Sequence, residues 1–341
     1  MKLRKITAVI LVVIMLTGSL SIFALGGFMS LGQQHSLFIK GEGPEINGHT
    51  IDYRYYSPVK ENDDTKYPLV IWLHGIFNGT YDPKQLYASD IAAWSLPEYQ
   101  SRFKDSGGAF IMAPRSLEEK VNFWGDSLIK PLRGAIDDFI AKNKDNIDIS
   151  RIYLGGYSMG GKMTLKMAVA YPEMFAAIFP ICPKWIPSAD AAKKLSNMPI
   201  WLTSGQQDPV VNYYSEIIPT WEVLMSDSNV AELSRFSTLK KTVYPDGSRA
   251  PTPHDAWYAV NYDLFSHTNG DYPTLSTVNG LGESVKLTYP DGIISWLSDF
   301  RSDYDGSPNT TKGNSEAYKI SALANIFVAI YNLINNFFKY S

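Results

Sequence analysis

The sequence predicts an α/β protein with a mostly parallel central sheet flanked by helices. Three observations carry this prediction. Short apolar runs bounded by turn residues recur between residues 49 and 204 and read as strands. Segments with apolar residues every three or four positions lie among them and read as helices. Strands that alternate with helices form βαβ units, and such units place their strands side by side and parallel.

The elements follow in order. His49 to Tyr56 alternates around Ile51, Tyr53 and Tyr55, as a half-exposed strand does. Tyr67 to His74 is a continuous apolar run ending at Gly75, and Ala109 to Ala113 is similar; both predict buried strands. Asp126 to Lys142 carries Leu128, Ile129, Leu132, Ile136, Phe139 and Ile140 at helical spacing. Arg151 to Gly156 predicts a strand, and Met159 to Tyr171 a helix stopped by Pro172. Ala176 to Cys182 and Pro199 to Ser204 predict further strands. Ala189 to Leu195 and Val211 to Met225 predict helices, Leu239 to Tyr244 a last strand, and Ile293 to Phe300 a final helix. Thr274–Val278 and Ser284–Thr288 flank Asn279-Gly280 and suit a hairpin near the site.

Composition narrows the function. Only 19% of the residues are charged and 13% are aromatic, which opposes disorder. A formal charge of −3 without a basic run argues against nucleic acid as partner. A single cysteine, Cys182, excludes an internal disulfide and a multi-cysteine zinc site, and the five histidines form no H-E-x-x-H pair. No metal or organic cofactor is expected.

Residues 1–30 read as targeting. Lys2, Arg4 and Lys5 precede an apolar run from Ile6 to Phe23, the secretory pattern, so the protein is expected to be exported. The segment is either cleaved, for instance after Gly26, or kept as a signal anchor. The catalytic domain is expected over residues 31–302, and a polar linker over 303–316. Residues 317–341 carry Ile320, Leu323, Phe327, Ile330, Ile334 and Phe337 at three-to-four spacing, an amphipathic helix with little charge. Its apolar stripe suits a membrane surface, a second copy or its own domain as partner, docking on one of the first two being preferred.

The chemistry gathers at three predicted strand ends. Gly156-Tyr157-Ser158-Met159-Gly160 follows a strand and opens a helix. Small flanking residues let such a turn lift a serine hydroxyl above the sheet, so Ser158 is the candidate nucleophile. A serine nucleophile needs a base, and the base an orienting acid. His254 and His267 both follow Ser158; His254 lies past the last predicted strand and is preferred. Asp208 follows the strand Pro199–Ser204, where side chains project into the ligand crevice of an α/β sheet. Asp255 adjoins His254 and is badly placed to reach it, and Asp246 reads as a turn residue. The turn His74-Gly75-Ile76 closes an earlier strand. The backbone N–H groups of Ile76 and Met159 are the candidate oxyanion-hole donors, with His74 holding the turn.

These motifs resemble the α/β-hydrolase superfamily. The resemblance is closest to secreted esterases of the polyhydroxybutyrate depolymerase and feruloyl esterase type and to prolyl-oligopeptidase-like peptidases. It rests on Tyr67-Pro68-Leu69-Val70-Ile71-Trp72-Leu73-His74-Gly75, the serine elbow, Gly205-Gln206-Gln207-Asp208-Pro209-Val210 and His254-Asp255-Ala256-Trp257, and spans residues 49–300. It implies an α/β-hydrolase fold and a serine hydrolase acting on a small-molecule or polymer ester, with peptide hydrolysis or acyl transfer as alternatives. It further implies that Trp124 and Trp257 line the substrate pocket. The loop after His74-Gly75 departs from the relatives, reading Ile76-Phe77-Asn78-Gly79-Thr80-Tyr81. A membrane-tethered binding protein would lack a triad member, and none is missing.

Overall fold

The computed structural model describes residues 36–76, 91–116, 124–226, 228–240, 252–263, 275–287 and 292–306. Nine strands among them form one sheet: β1 (Ile39–Ile46), β2 (His49–Tyr56), β3 (Tyr67–Leu73), β4 (Phe110–Pro114), β5 (Ile147–Tyr157), β6 (Ala177–Ile181), β7 (Trp201–Gly205), β8 (Arg235–Leu239) and β9 (Leu275–Asn279). Their order is β1-β2-β4-β3-β5-β6-β7-β8-β9. The six central strands from β4 to β8 run parallel, and the pairs β1–β2, β2–β4 and β8–β9 are antiparallel. The helices are α1 (Pro97–Gln100), α2 (Ile129–Lys142), α3 (Met159–Ala170), α4 (Ala189–Lys193), α5 (Ile218–Met225), α6 (Trp257–Asn261) and α7 (Ile293–Leu297).

β3 is buried along its whole length because the sheet is covered on both faces. Its alternate side chains enter different cores. Leu69, Ile71 and Leu73 meet Leu132, Ile136 and Phe139 of α2 and Met163 and Met167 of α3. Val70 and Trp72 join Phe179, Trp94 and the apolar residues of α6 and α7. The period of two along the strand thus separates two helical layers. Parallel strands all end at one edge of the sheet, so the loops after β3, β5 and β7 converge there.

The sheet departs from the predicted elements in three places. β1 is additional; it pairs only with β2 at the edge. The last parallel strand among the described residues is Arg235–Leu239, and residues 241–244 of the predicted strand lie outside them. β9 extends the sheet beside β8, and the predicted hairpin forms, Val278 bridging Ser284, but away from the site. Asn279 pairs with Arg235, the start of β8, so the Asn279-Gly280 turn lies at the edge opposite the serine elbow. Tyr304 is buried against α2, so the packed domain continues through it. The N-terminal segment, the amphipathic segment 317–341, most of the linker, Asp246, His267 and residues 77–81 lie outside the described residues. Among the described residues no helix is long and apolar enough to cross a membrane.

Candidate active site

β5 ends at Tyr157, and α3 begins at Met159, so the whole reversal of direction falls on Ser158. Its backbone sits at φ 57° and ψ −113°. A non-glycine residue there costs on the order of 1–3 kcal/mol, which the surrounding packing must hold in place. The Ser158 N–H donates to the Ile181 carbonyl at 2.8 Å, and the Ser158 carbonyl accepts from Lys162 N at 2.9 Å. The turn is tight because helix and strands nearly touch: a Cβ on Gly160 would lie 2.0 Å from the Leu73 carbonyl oxygen.

Ser158, His254 and Asp208 come together from three loops. His254 Nε2 lies 3.0 Å from Ser158 Oγ, and His254 Nδ1 lies 2.7 Å from Asp208 Oδ2. All three residues are buried. Asp208 can only accept as a carboxylate, so Nδ1 carries the proton and Nε2 is left to accept from the serine hydroxyl. The other carboxylate oxygen of Asp208 accepts from Val210 N at 2.8 Å and Val211 N at 3.0 Å. Burial by itself would raise the pKa of Asp208, but the hydrogen bonds from His254, Val211 and Val210 outweigh it and hold the group below the ordinary carboxylate value. The loop bearing the histidine is fixed locally, His254 N donating to Thr252 Oγ1 at 3.0 Å.

The turn after β3 is set by His74, which is 3% exposed. Ser116 N–H donates to its Nε2 at 3.1 Å, so Nδ1 is the protonated nitrogen and donates to the Gly75 carbonyl at 2.7 Å. That carbonyl shares a peptide unit with the N–H of Ile76. In a trans peptide the two point in opposite directions, so the ring of His74 fixes where the Ile76 N–H is aimed. Desolvation lowers the His74 pKa to about 4, which keeps the ring neutral. Met159 is the first residue of α3, where a backbone N–H has no intrahelical acceptor.

Trp124 is corrected from a pocket residue to a support. Its side chain is fully buried with α2 and β3, and its indole N–H donates to the His74 carbonyl at 2.8 Å. It therefore clamps the same turn from beneath. Trp257 is half-buried; it stacks on Tyr258 and stands 6.4 Å from the ring of Tyr157. Asp255 accepts from the Tyr157 hydroxyl at 3.3 Å, which leaves Asp208 as the acid on the imidazole.

Two neighbours of the triad carried no signal in the sequence beyond their position. Tyr157, inside the elbow motif, packs its ring 4.9 Å from that of His254. Cys182, at the end of β6, lies 3.7 Å from the His254 carbonyl. Its sulfur, a carboxylate oxygen of Asp208 and a ring nitrogen of His254 fall within 4.8 Å of one another, the one grouping of metal-ligand type found among the described residues. Burial and then the Asp208 charge push the Cys182 thiol well above its ordinary pKa, and the His254 nitrogen and Asp208 oxygen already share a proton. The group therefore serves the hydrogen-bonded triad better than a cation.

Known proteins similar to this chain include esterases and a peptidase. A phospholipase/carboxylesterase family model matches residues 126–239, the stretch that holds Ser158 and Asp208. No curated protein matches the sequence. The structure is similar to that of a thermostable esterase, with 27% identity and a TM-score of 0.53, over 67% of this chain and 61% of the esterase. The chain thus spans under two thirds of that protein's length. More distant similarity extends to an acylaminoacyl peptidase of Pyrococcus horikoshii, with 15% identity, a TM-score of 0.43 and coverage of 55% of this chain and 35% of the peptidase. Est1E from Butyrivibrio proteoclasticus gives 18% identity and a TM-score of 0.39 over 54% of this chain and 84% of its own. Its mostly parallel sheet, the serine elbow, the family match over residues 126–239 and the likeness to the thermostable esterase together show an α/β-hydrolase fold.

Proposed function

We propose that the protein is an exported serine hydrolase that cleaves carboxylic esters through an acyl-enzyme. The observation that carries this is the unbroken hydrogen-bonded line from Ser158 Oγ through the His254 ring to Asp208, mounted on a strained elbow. Ser158 Oγ attacks the acyl carbon while His254 Nε2 takes the hydroxyl proton. Asp208 holds the imidazole in the required tautomer and stabilises its charged form. The N–H groups of Ile76 and Met159 receive the negative charge that develops on the carbonyl oxygen. His254 then protonates the departing alcohol. Water, deprotonated by the same nitrogen, releases the acid and restores the serine.

Exposed apolar residues that follow the C-terminal ends of the strands support an ester with apolar substituents. Ile76, Ile186 and Val210 are exposed on the loops after β3, β6 and β7, and Tyr214 is exposed on the helical turn Tyr213–Ile217 that follows. Export rests on the basic and apolar start of the sequence, and docking of residues 317–341 on a membrane surface or a second copy rests on its apolar periodicity. A fluorophosphonate probe tests the enzyme reading. It should label the wild-type protein and hydrolysis of a p-nitrophenyl ester should be measurable; both should vanish in a folded Ser158→Ala variant. Labelling that survives the substitution would refute the mechanism.

A further inference from the structure

We propose that Tyr157 and Asp255 form a brace that holds the base His254 in register with the oxyanion turn. The inference rests on the hydrolase reading above. Tyr157 immediately precedes the nucleophile, and its backbone is locked as the last residue of β5, paired with Ile181. Its ring reaches three parts of the site. It packs against the imidazole of His254 with centroids 4.9 Å apart and the planes tilted by 46°. It lies so close to the turn after β3 that a Cβ on Gly75 would sit 2.7 Å from a ring carbon. Its hydroxyl donates to Asp255 Oδ1 at 3.3 Å.

Asp255 is the residue after the base, so a tether on its side chain is a tether on the backbone of His254. The same carboxylate also bonds the Trp257 side chain, and Asp255 N donates to the Thr252 carbonyl at 3.0 Å. The triad itself fixes the imidazole through Nδ1 and Asp208. That bond and the contact of Nε2 with Ser158 Oγ hold the ring at its two nitrogens, and neither supports its faces or its backbone. The Tyr157 face and the Asp255 tether supply that support, and small displacements of a catalytic group are costly in rate. Tyr157 and Asp255 are thus positioning residues, acting on kcat through His254.

Steady-state kinetics on a soluble p-nitrophenyl ester provide the test. Tyr157→Phe and Asp255→Ala should each lower kcat about tenfold while KM stays within about twofold. The double variant should be no slower than Asp255→Ala, because the Tyr157 hydroxyl acts only through that carboxylate. Asp255→Asn keeps an acceptor oxygen and should recover most of the rate. Thermal midpoints of Tyr157→Phe and Asp255→Asn guard against simple unfolding and should stay near that of the wild type. An unchanged kcat in Tyr157→Phe, or losses that multiply in the double variant, would overturn the brace while Ser158-dependent labelling leaves the hydrolase reading standing. Labelling that persists in Ser158→Ala would overturn both.

Discussion

At the scale of single residues, the site is assembled from groups whose burial fixes their protonation. Asp208 and His74 illustrate opposite cases. Asp208 is buried but triply hydrogen-bonded, and its charge survives. His74 is buried with its ring nitrogens spent on neutral-form hydrogen bonds, and its charge does not. This gives a stability signature. The His74 pKa falls from 6.5 to about 4 on folding. Between those values the unfolded chain binds a proton that the folded chain refuses, so stability must fall as pH drops from about 6.5 to about 4. The full difference amounts to roughly 3 kcal/mol. Asp208, whose pKa is depressed in the fold, contributes above the ordinary carboxylate value and loses its contribution only at lower pH. The windows are therefore separable. Thermal midpoints measured from pH 7 to pH 4 should decline for the wild type and decline distinctly less for His74→Asn, whose amide can still donate to the Gly75 carbonyl. Parallel curves would show that another group carries the acid sensitivity.

At the scale of elements, the elbow depends on how closely α3 approaches β3. A Cβ on Gly160 would meet the Leu73 oxygen at 2.0 Å and its carbonyl carbon at 2.5 Å, both backbone atoms that cannot swing aside. Gly160→Ala must push the helix off the sheet and drag Ser158 with it. A loss of roughly 2–3 kcal/mol is expected, typical of overpacking, with a visible fall in thermal midpoint and in ester hydrolysis together. An intact midpoint would mean that the helix moves freely. The same element scale explains what the sequence made legible. The central strands are covered on both faces and so read as apolar runs; Ser158 and Asp208 stood out as candidates because each closes or follows such a run, and His254 because it comes after the last of them. β1 was hidden because Gly41, Gly43, Pro44 and two glutamates suit only an edge strand with a bulge between Glu42 and Glu45. β8 was missed because Arg235, Ser237 and Thr238 break up its apolar residues, Ser237 bonding Trp201 Nε1 and Thr277 inside the fold. Trp124 could not be distinguished from a pocket residue, since only the fold places its indole beneath His74.

At the scale of the whole molecule, the packed domain runs past the point where the composition changes. Composition turns polar at Asp303, yet the packing continues for a few residues. Arg301 reaches Asp148 at 2.8 Å, and Ser302 N donates to the Ser150 carbonyl at 2.7 Å. Tyr304 is 6% exposed, and its hydroxyl accepts from Arg133 Nη2 at 2.8 Å. The Arg133 guanidinium is itself buried, lies over the rings of Tyr171 and Tyr304, and bonds Asp137. It joins α2, the start of the segment after α3 and the end of the domain in one contact. A buried cation that loses one of its partners is costly, because nothing replaces the lost interactions. A chain truncated after Asp303 should therefore be less stable by roughly 2 kcal/mol or more, which for a domain of this size lowers the thermal midpoint by roughly 4–8 °C. A chain truncated after Gly306 keeps Tyr304 and should melt like the full-length protein. Tyr304→Phe in the full chain separates the hydroxyl from the ring and should fall between the two. Equal midpoints for the two truncations would place the domain boundary at residue 302 after all, with Tyr304 only resting on a surface that does not need it.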